Sequence, residues 1–219
     1  MERVLAGGKL QRCRLAWTDE VQSARRALLV GEGHGHFLGE CVRRFPRTHF
    51  TYVDASQRML KVARRQWLDA GGSMDRIGFI HAALPGWKPE PGTFDLIVTH
   101  FFLDCFPPRL LAQVLGTIAR GAQPGAHWLV ADFRVPERGW LRWRAQLILA
   151  SAYAFFRVAT KLPAKQLTAP DEFLRGFGFE LCRRRITEWG LLHSDLWRLA
   201  EPEMAQARNL APALAAEPA

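Results

Sequence analysis

The feature that most constrains this chain is a short apolar run that stops on glycine. Ala27-Leu28-Leu29-Val30 is followed at once by Gly31-Glu32-Gly33-His34-Gly35. Four apolar residues with no polar alternation read as a strand buried on both faces, as in a parallel sheet. Phe37, Leu38, Cys41, Val42 and Phe45 then recur at helical spacing, and Pro46 ends that helix. Glycines between a strand and a helix let the backbone approach a ligand closely. The helix N-terminus beyond them offers unpaired N–H groups and a partial positive charge to an anion. Spacing narrows the choice of ligand. A dinucleotide fingerprint needs its third glycine at residue 36, which is His36, whereas the third glycine here is Gly35. The pattern is therefore GxGxG, which opposes a nucleotide-dependent oxidoreductase. No Gly-Lys-Ser/Thr follows, so a Walker-type phosphate loop is excluded.

The unit repeats along the first 133 residues. His49 to Val53 reads as a second strand ending on Asp54, and Ser56 as the N-cap of a helix to about Leu68. That helix turns Met59, Leu60, Val62 and Ala63 inward and Arg58, Lys61, Arg64 and Arg65 outward, and Gly71-Gly72 closes it. Ile77 to Ala82 is a third strand, and Pro85 to Gly92 a turn. Phe94 to Thr99 is a fourth strand. Pro107-Pro108 opens a helix with Leu110, Leu111, Val114, Leu115 and Ile118 on its apolar face. Pro124-Gly125 turns into a fifth strand, His127 to Phe133. Strand and helix alternating in this way imply a parallel sheet covered on both faces. The rhythm then changes. Gly139 to Leu162 reads as a long aromatic-rich helix and Ala169 to Phe177 as a short one ended by Gly178. Phe179 to Thr187 and Leu191 to Leu199 form an antiparallel hairpin about Glu188-Trp189-Gly190. The expected organisation is one α/β domain over 1–204, with a seven-stranded, mostly parallel sheet. Residues 1–26 form an N-terminal helical segment, 134–168 a lid or insert, and 205–219 a flexible tail rich in Ala, Pro and Glu.

Asp54 ends the strand after the glycine loop, about twenty residues on, where an acid can accept both hydroxyls of a ribose. Strand, GxGxG, helix, strand and acid together resemble the first two motifs of the class I S-adenosylmethionine-dependent methyltransferases, over Leu28 to Leu60. Phe94-Asp95-Leu96-Ile97-Val98-Thr99 looks like the fourth strand of that family, and Pro124-Gly125 and the final hairpin also match. The resemblance spans most of residues 27–199. It implies a Rossmann-like methyltransferase domain with S-adenosyl-L-methionine as cofactor. It further implies that Gly31, Glu32, Gly33 and Gly35 bind the cofactor, with the loop backbone at Gly31 and Gly33 passing under the methionine part, and that Asp54 holds the ribose. Ala55, Met59, Ala82 and Ala83 would border the adenine, and Thr99 and His100 the sulfonium. Phe101 and Phe102 could offer a ring face to that cation or equally serve as packing. Two positions depart from the family pattern. Leu29 stands where an acid is usual, for which Glu32 is expected to compensate, and Ala82-Ala83 stands where another acid is usual near the adenine.

Methyl transfer from a sulfonium is a direct displacement that gains most from proximity and orientation. A base is needed only for an acceptor that must lose a proton early. The candidates are His100, Asp104 and, more remotely, His193. Packing or turn-anchoring roles for His100 and Asp104 remain open alternatives. His34 and His36 lie two apart on a turning loop without an accompanying acid cluster, so no metal is expected. The end of the fourth strand carries neither an Asn/Asp-Pro-Pro-Tyr/Phe motif nor a Pro-Cys nucleophile, which leaves a small or lipid-like molecule as acceptor.

The formal net charge of +9 favours anionic partners, but the basic residues are scattered. In Arg183-Arg184-Arg185, the tightest run, successive residues face opposite ways on a strand. RNA methylation is therefore a lesser alternative, as is a non-catalytic cofactor-binding protein of the same fold. The segment from Trp140 to Phe156, with Trp143, Leu147, Tyr153, Phe155 and interspersed Arg142, Arg144 and Arg157, would suit a lid over a hydrophobic or acidic acceptor. Packing on the sheet or a dimer contact are its other readings, and a peripheral membrane contact a more distant one. Eight Trp imply several in a core or pocket. The four cysteines, Cys13, Cys41, Cys105 and Cys182, show no CxxC spacing, and Cys41 and Cys182 are expected as core thiols. With no signal-like run in Met1 to Leu10, a cytoplasmic setting is the expectation.

Overall fold

The computed structural model describes residues 8–134 and 168–201. A short helix α1 (Lys9–Arg14) and a 3-10 turn (Thr18–Val21) precede β1 (Arg26–Val30). There follow α2 (Leu38–Arg44), β2 (His49–Asp54), α3 (Gln57–Asp69), β3 (Ile77–His81), β4 (Phe94–His100), α4 (Pro108–Ala119) and β5 (Ala122–Phe133). The chain then continues through α5 (Asp171–Gly176), β6 (Phe179–Thr187) and β7 (Leu192–Leu199). The seven strands form one sheet in the order β3-β2-β1-β4-β5-β7-β6. All the pairings among the first five strands are parallel, and β7 runs antiparallel to both β5 and β6. This is the Rossmann-like sheet with a terminal hairpin that the alternating pattern implies. Because β1 lies between β2 and β4, the chain order reverses there, and a crevice opens at the carboxyl ends of β1 and β4.

β1 is apolar throughout because both of its faces are covered. Ala27 and Leu29 join a core layer with Phe37, Cys41, Tyr52, Ala63 and Trp67 beneath α2 and α3. Leu28 and Val30 join the opposite layer with Leu111, Val114, Ile118 and Trp128 beneath α4. α3 begins where Ser56 accepts the Met59 N–H at 3.4 Å, and ends before Gly71 at φ 84°. Its inward residues are Leu60, Ala63 and Trp67, while Met59 is half-buried.

Two expectations shift. Pro124-Gly125 lies inside β5 rather than before it: the ladder passes from Phe94 opposite Ala122 to Leu96 opposite His127, so extra residues bulge out around Gly125, whose φ is 75°. Cys182 is exposed, and Cys13 is buried in its place, because Cys182 lies at the irregularity in edge strand β6. Trp67, Trp128 and Trp197 are fully buried, but Trp189 at the hairpin tip is not. The arginine run alternates as its strand position demands. Arg184 reaches Asp171 and Asp195, whereas Arg183 approaches Glu20 and Arg185 stacks over Trp17. The helix expected over Gly139 to Leu162, the lid or membrane-facing roles of the Trp140 to Phe156 segment, and the tail from 205 lie outside the described residues. Among the described residues, no helix is long and apolar enough to cross a membrane.

Candidate active site

The loop after β1 uses its three glycines for three different reasons. All have positive φ, at 68°, 58° and 75° for Gly31, Gly33 and Gly35, a region that L side chains rarely adopt. A Cβ on Gly31 would lie 2.0 Å from the Phe102 ring, so that glycine lets β4's exit pack onto the loop. A Cβ on Gly35 would meet Leu38 at 2.8 Å and the Ala63 backbone at 3.1 Å, so that glycine lets α3 approach. A Cβ on Gly33 would meet nothing within 4 Å. Only Gly33 therefore presents bare backbone to open space. The loop is tied down around it: the Tyr52 hydroxyl donates to the Gly33 carbonyl at 3.0 Å, and Gly31 N–H donates to Val53 at 2.9 Å.

Asp54, at the end of β2, faces the same loop. Its Oδ2 accepts the Gly33 N–H at 3.2 Å and its Oδ1 accepts the Ser56 N–H at 2.8 Å. Each oxygen keeps a further lone pair for an outside donor. Burial pushes this carboxyl upward, while the two N–H bonds and the nearby His34 and His81 oppose that shift. Ala55 and Ala83 are exposed beside it and Ala82 is half-buried. The Ala82 N–H donates to the Asp54 carbonyl at 3.1 Å, and His81 Nε2 lies 3.1 Å from the Ala55 carbonyl. Asp54, Ala55, Ala82 and Ala83 are thus brought together, with Met59 one helical turn beyond.

At the tip of β4 the expected residues divide. Thr99 is fully buried and its hydroxyl accepts the Trp128 indole N–H at 2.9 Å, so its side chain serves the core and not the crevice. His100 faces the other way. Its Nδ1 lies 2.8 Å from Glu32 Oε1, both side chains are almost completely buried, and the Phe37 ring meets the imidazole edge-on at 5.0 Å. Close as they are, the two atoms are not aligned as a hydrogen bond, and each lacks any other partner among the described residues. Glu32 thus turns inward, against the histidine. Phe101 has φ 55°, lies under the Arg14 guanidinium at 4.9 Å and packs on Phe133. A left-handed aromatic residue at a strand exit is a strained conformation of the kind found at functional sites. Gln11 of α1 donates to the His36 carbonyl at 3.2 Å, closing the N-terminal helix over the loop.

Beyond β4 the structure assembles a polar cluster that only partly follows from the sequence reading. Asp104 is buried, and its N–H donates to Asp132 Oδ2 at 3.1 Å, while the two carboxyl groups also share a hydrogen bond. Burial, and next the Asp104 charge, push the Asp132 carboxyl well above the usual range. Opposite Asp132 on β7 is His193, whose Nδ1 lies 3.0 Å from Asp195 Oδ2. Burial alone would raise Asp195, but hydrogen bonds from Arg184 at 2.8 and 2.6 Å and from His193 hold it below its ordinary value. Asp132 and Asp195 were not singled out by sequence, and Arg184 only as part of a basic run. The signal for Asp132 was available: like Asp54, it is an acid at the carboxyl end of an apolar strand. His34 and His36 stand with ring centroids 5.8 Å apart, and among the described residues no group of three or more His, Cys, Asp or Glu could hold a metal.

The residues present fit an adenosyl sulfonium. Gly33 offers an unobstructed backbone, Asp54 an acid with spare lone pairs, and Glu32 and His100 buried polar atoms without aligned partners.

Comparison with known proteins agrees. A family model described as "Methyltransferase domain" matches residues 27–125, from β1 into β5. No curated protein matches the sequence. Among solved structures, an O-methyltransferase family protein from Burkholderia thailandensis superposes with a TM-score of 0.63 at 18% identity, covering 89% of this chain and 58% of that one. The apo form of the S-adenosylmethionine-dependent methyltransferase SibL gives 0.66 at 21% identity, over 89% of this chain and 56% of that one. The N-methyltransferase NodS from Bradyrhizobium japonicum WM9, in complex with S-adenosyl-L-homocysteine, gives 0.64 at 13% identity over 91% of each chain. The chain thus spans little more than half the length of the first two. This chain is similar to the methyltransferase-domain family over residues 27–125, and it shares the fold of these solved methyltransferases over nearly all of its length.

Proposed function

We propose that this chain binds S-adenosyl-L-methionine in the crevice beside β1 and transfers its methyl group to a small molecule. One observation carries the reading: Gly33, at the topological switch point, presents open backbone while its N–H and the Ser56 N–H orient the Asp54 carboxylate. Asp54 holds the ribose, the Gly33 backbone borders the methionine part, and Ala55, Ala82 and Ala83 border the adenine. Bound there, the cofactor supplies an electrophilic methyl group.

The chain's own residues then have to place an acceptor in line and manage its proton. The acceptor lies beyond the tips of β4 and β5, where Phe101 and Phe133 provide an apolar wall and the Asp104–Asp132 pair a proton-accepting one. Glu32 lies against the buried imidazole of His100, which makes His100 a positioning residue at the strand tip. A hydroxyl or carboxyl acceptor suits this arrangement, because each presents a proton or a charge to the polar cluster.

Calorimetric titration with S-adenosyl-L-methionine and S-adenosyl-L-homocysteine tests cofactor binding. Wild type is expected to bind both, and Asp54→Ala to lose at least about a hundred-fold in affinity, the weight of two charge-assisted hydrogen bonds. Wild type failing to bind either compound overturns the reading. Turnover against phenols, quinones and carboxylic acids separates an enzyme from a cofactor-binding protein of the same fold.

A further inference from the structure

The N-terminal helix α1 works on two sides. Gln11 and Arg14, three residues apart, face the glycine loop and Phe101. Lys9, Arg12 and Cys13 line a separate cavity of about 230 Å³, whose opposite wall is the β6–β7 hairpin with Arg185, Thr187 and Ser194. The Ser194 hydroxyl donates to the Cys13 carbonyl at 2.8 Å and pins the helix to the strand.

The charge around this cavity is unbalanced. Among the described residues three cations line it against one carboxylate, Glu188, which is already paired with Lys9. The Arg12 side chain has no hydrogen bond, ion pair or ring contact among the described residues. Among the described residues Arg185 has only the Trp17 ring, 4.9 Å from its guanidinium carbon, which fixes the side chain without neutralising it. Cys13 adds no negative charge, because burial and then the Asp132 carboxyl push its thiol up to about 12. Asp195 is engaged by Arg184 and His193 on the opposite face of the sheet.

We infer that this cavity binds an oxyanion, the carboxylate or phosphate group of a small molecule, held between the Arg12 and Arg185 guanidiniums. Two planar donor forks on facing elements, one already immobilised by an aromatic ring, match the geometry of such a group. Lys9 and the Thr187 hydroxyl complete the lining. The inference is independent of methyl transfer, since the cavity lies on the hairpin side of α1 and the glycine loop on the other.

Calorimetric titration of the full chain with inorganic phosphate and with phenyl phosphate, at constant ionic strength, tests it. Arg12→Gln and Arg185→Gln are each expected to weaken binding about ten-fold, the loss of one charge-assisted contact. Arg64→Gln, which removes an exposed cation on the outer face of α3, is expected to leave it unchanged. Tighter binding of phenyl phosphate assigns the oxyanion to a larger molecule, and equal affinities assign it to a free anion; both outcomes support the site. Three results overturn it: no binding of either probe at millimolar concentration, no effect of Arg12→Gln and Arg185→Gln, or equal weakening by Arg64→Gln. Arg12 is exposed, so its variant keeps the test valid even if Arg185→Gln perturbs the hairpin.

Discussion

The two sides of the crevice are built by different means. On the β1–β2 side the machinery is backbone: positive-φ glycines, the Gly33 and Ser56 N–H groups, and one acid at a strand end, all within residues 31–56. On the β5–β7 side it is side chains recruited from distant parts of the chain, with Asp104 against Asp132 and Arg184 bridging Asp171 and Asp195. A backbone-built site depends on spacing and on the absence of Cβ atoms, so a generic cofactor can be held by a generic pattern. A site built of side chains depends on which acids and bases face one another, and it can vary its substrate without disturbing the fold.

The comparison breaks most sharply if the polar cluster proves dispensable. Asp195→Ala leaves the Arg184 head and His193 without their buried partner. It is expected to cost about 3–5 kcal/mol in urea denaturation at neutral pH. Asp195 is held below its ordinary value, so its contribution is present above the unfolded carboxylate pKa and is lost as pH falls through the lower folded value. The deficit of the variant should therefore shrink in acid. A deficit independent of pH would mean that packing, not charge, is at work.

The glycine loop is tested by separating its three roles. Gly31→Ala combines a left-handed φ with a Cβ driven into the Phe102 ring, for an expected loss of about 2–4 kcal/mol. Adding Phe102→Ala should recover the steric part, which a double-mutant cycle reads directly. Gly33→Ala carries only the backbone strain, about 1 kcal/mol in thermal or urea unfolding. It is nevertheless expected to weaken S-adenosyl-L-homocysteine binding more than Gly31→Ala does, because its methyl group enters the open crevice. The reverse order would relocate the ligand.

The smallest expected effect is the most diagnostic of the acid pair. Asp132 is raised in the native state, so folding takes up a proton above the ordinary carboxylate range and wild-type stability falls as pH rises from there. Asp132→Asn removes that titration while keeping a hydrogen-bonding side chain. Its stability relative to wild type should increase as pH rises above the ordinary carboxylate range. A flat difference there would show that the Asp132 carboxyl is not raised.

Much of this was legible in residue order. The run Ala27 to Val30, the glycines at 31, 33 and 35 and the acid at 54 are local, and local spacing determines backbone geometry. Ser56 as a cap and Gly71 and Gly178 as helix stops follow from the same short-range physics. Other assignments needed contacts that spacing does not encode. Thr99 faces the core because the parity of β4 turns it toward Trp128, and His100, one residue on, turns toward Glu32. Cys182 is exposed because β6 is the sheet edge and irregular there, although its neighbours read as strand.

Residue order alone thus determined the alternating strands and helices, the bare loop and the acid beside it, because each depends on periodicity or on backbone freedom within a few residues. Tertiary structure decided which polar side chains meet. It set Glu32 against His100, Asp104 against Asp132, and Arg12 across from Arg185. The reason is physical: a buried charge is tolerated only where the fold brings it a partner, and the partner's place along the chain leaves no periodic trace.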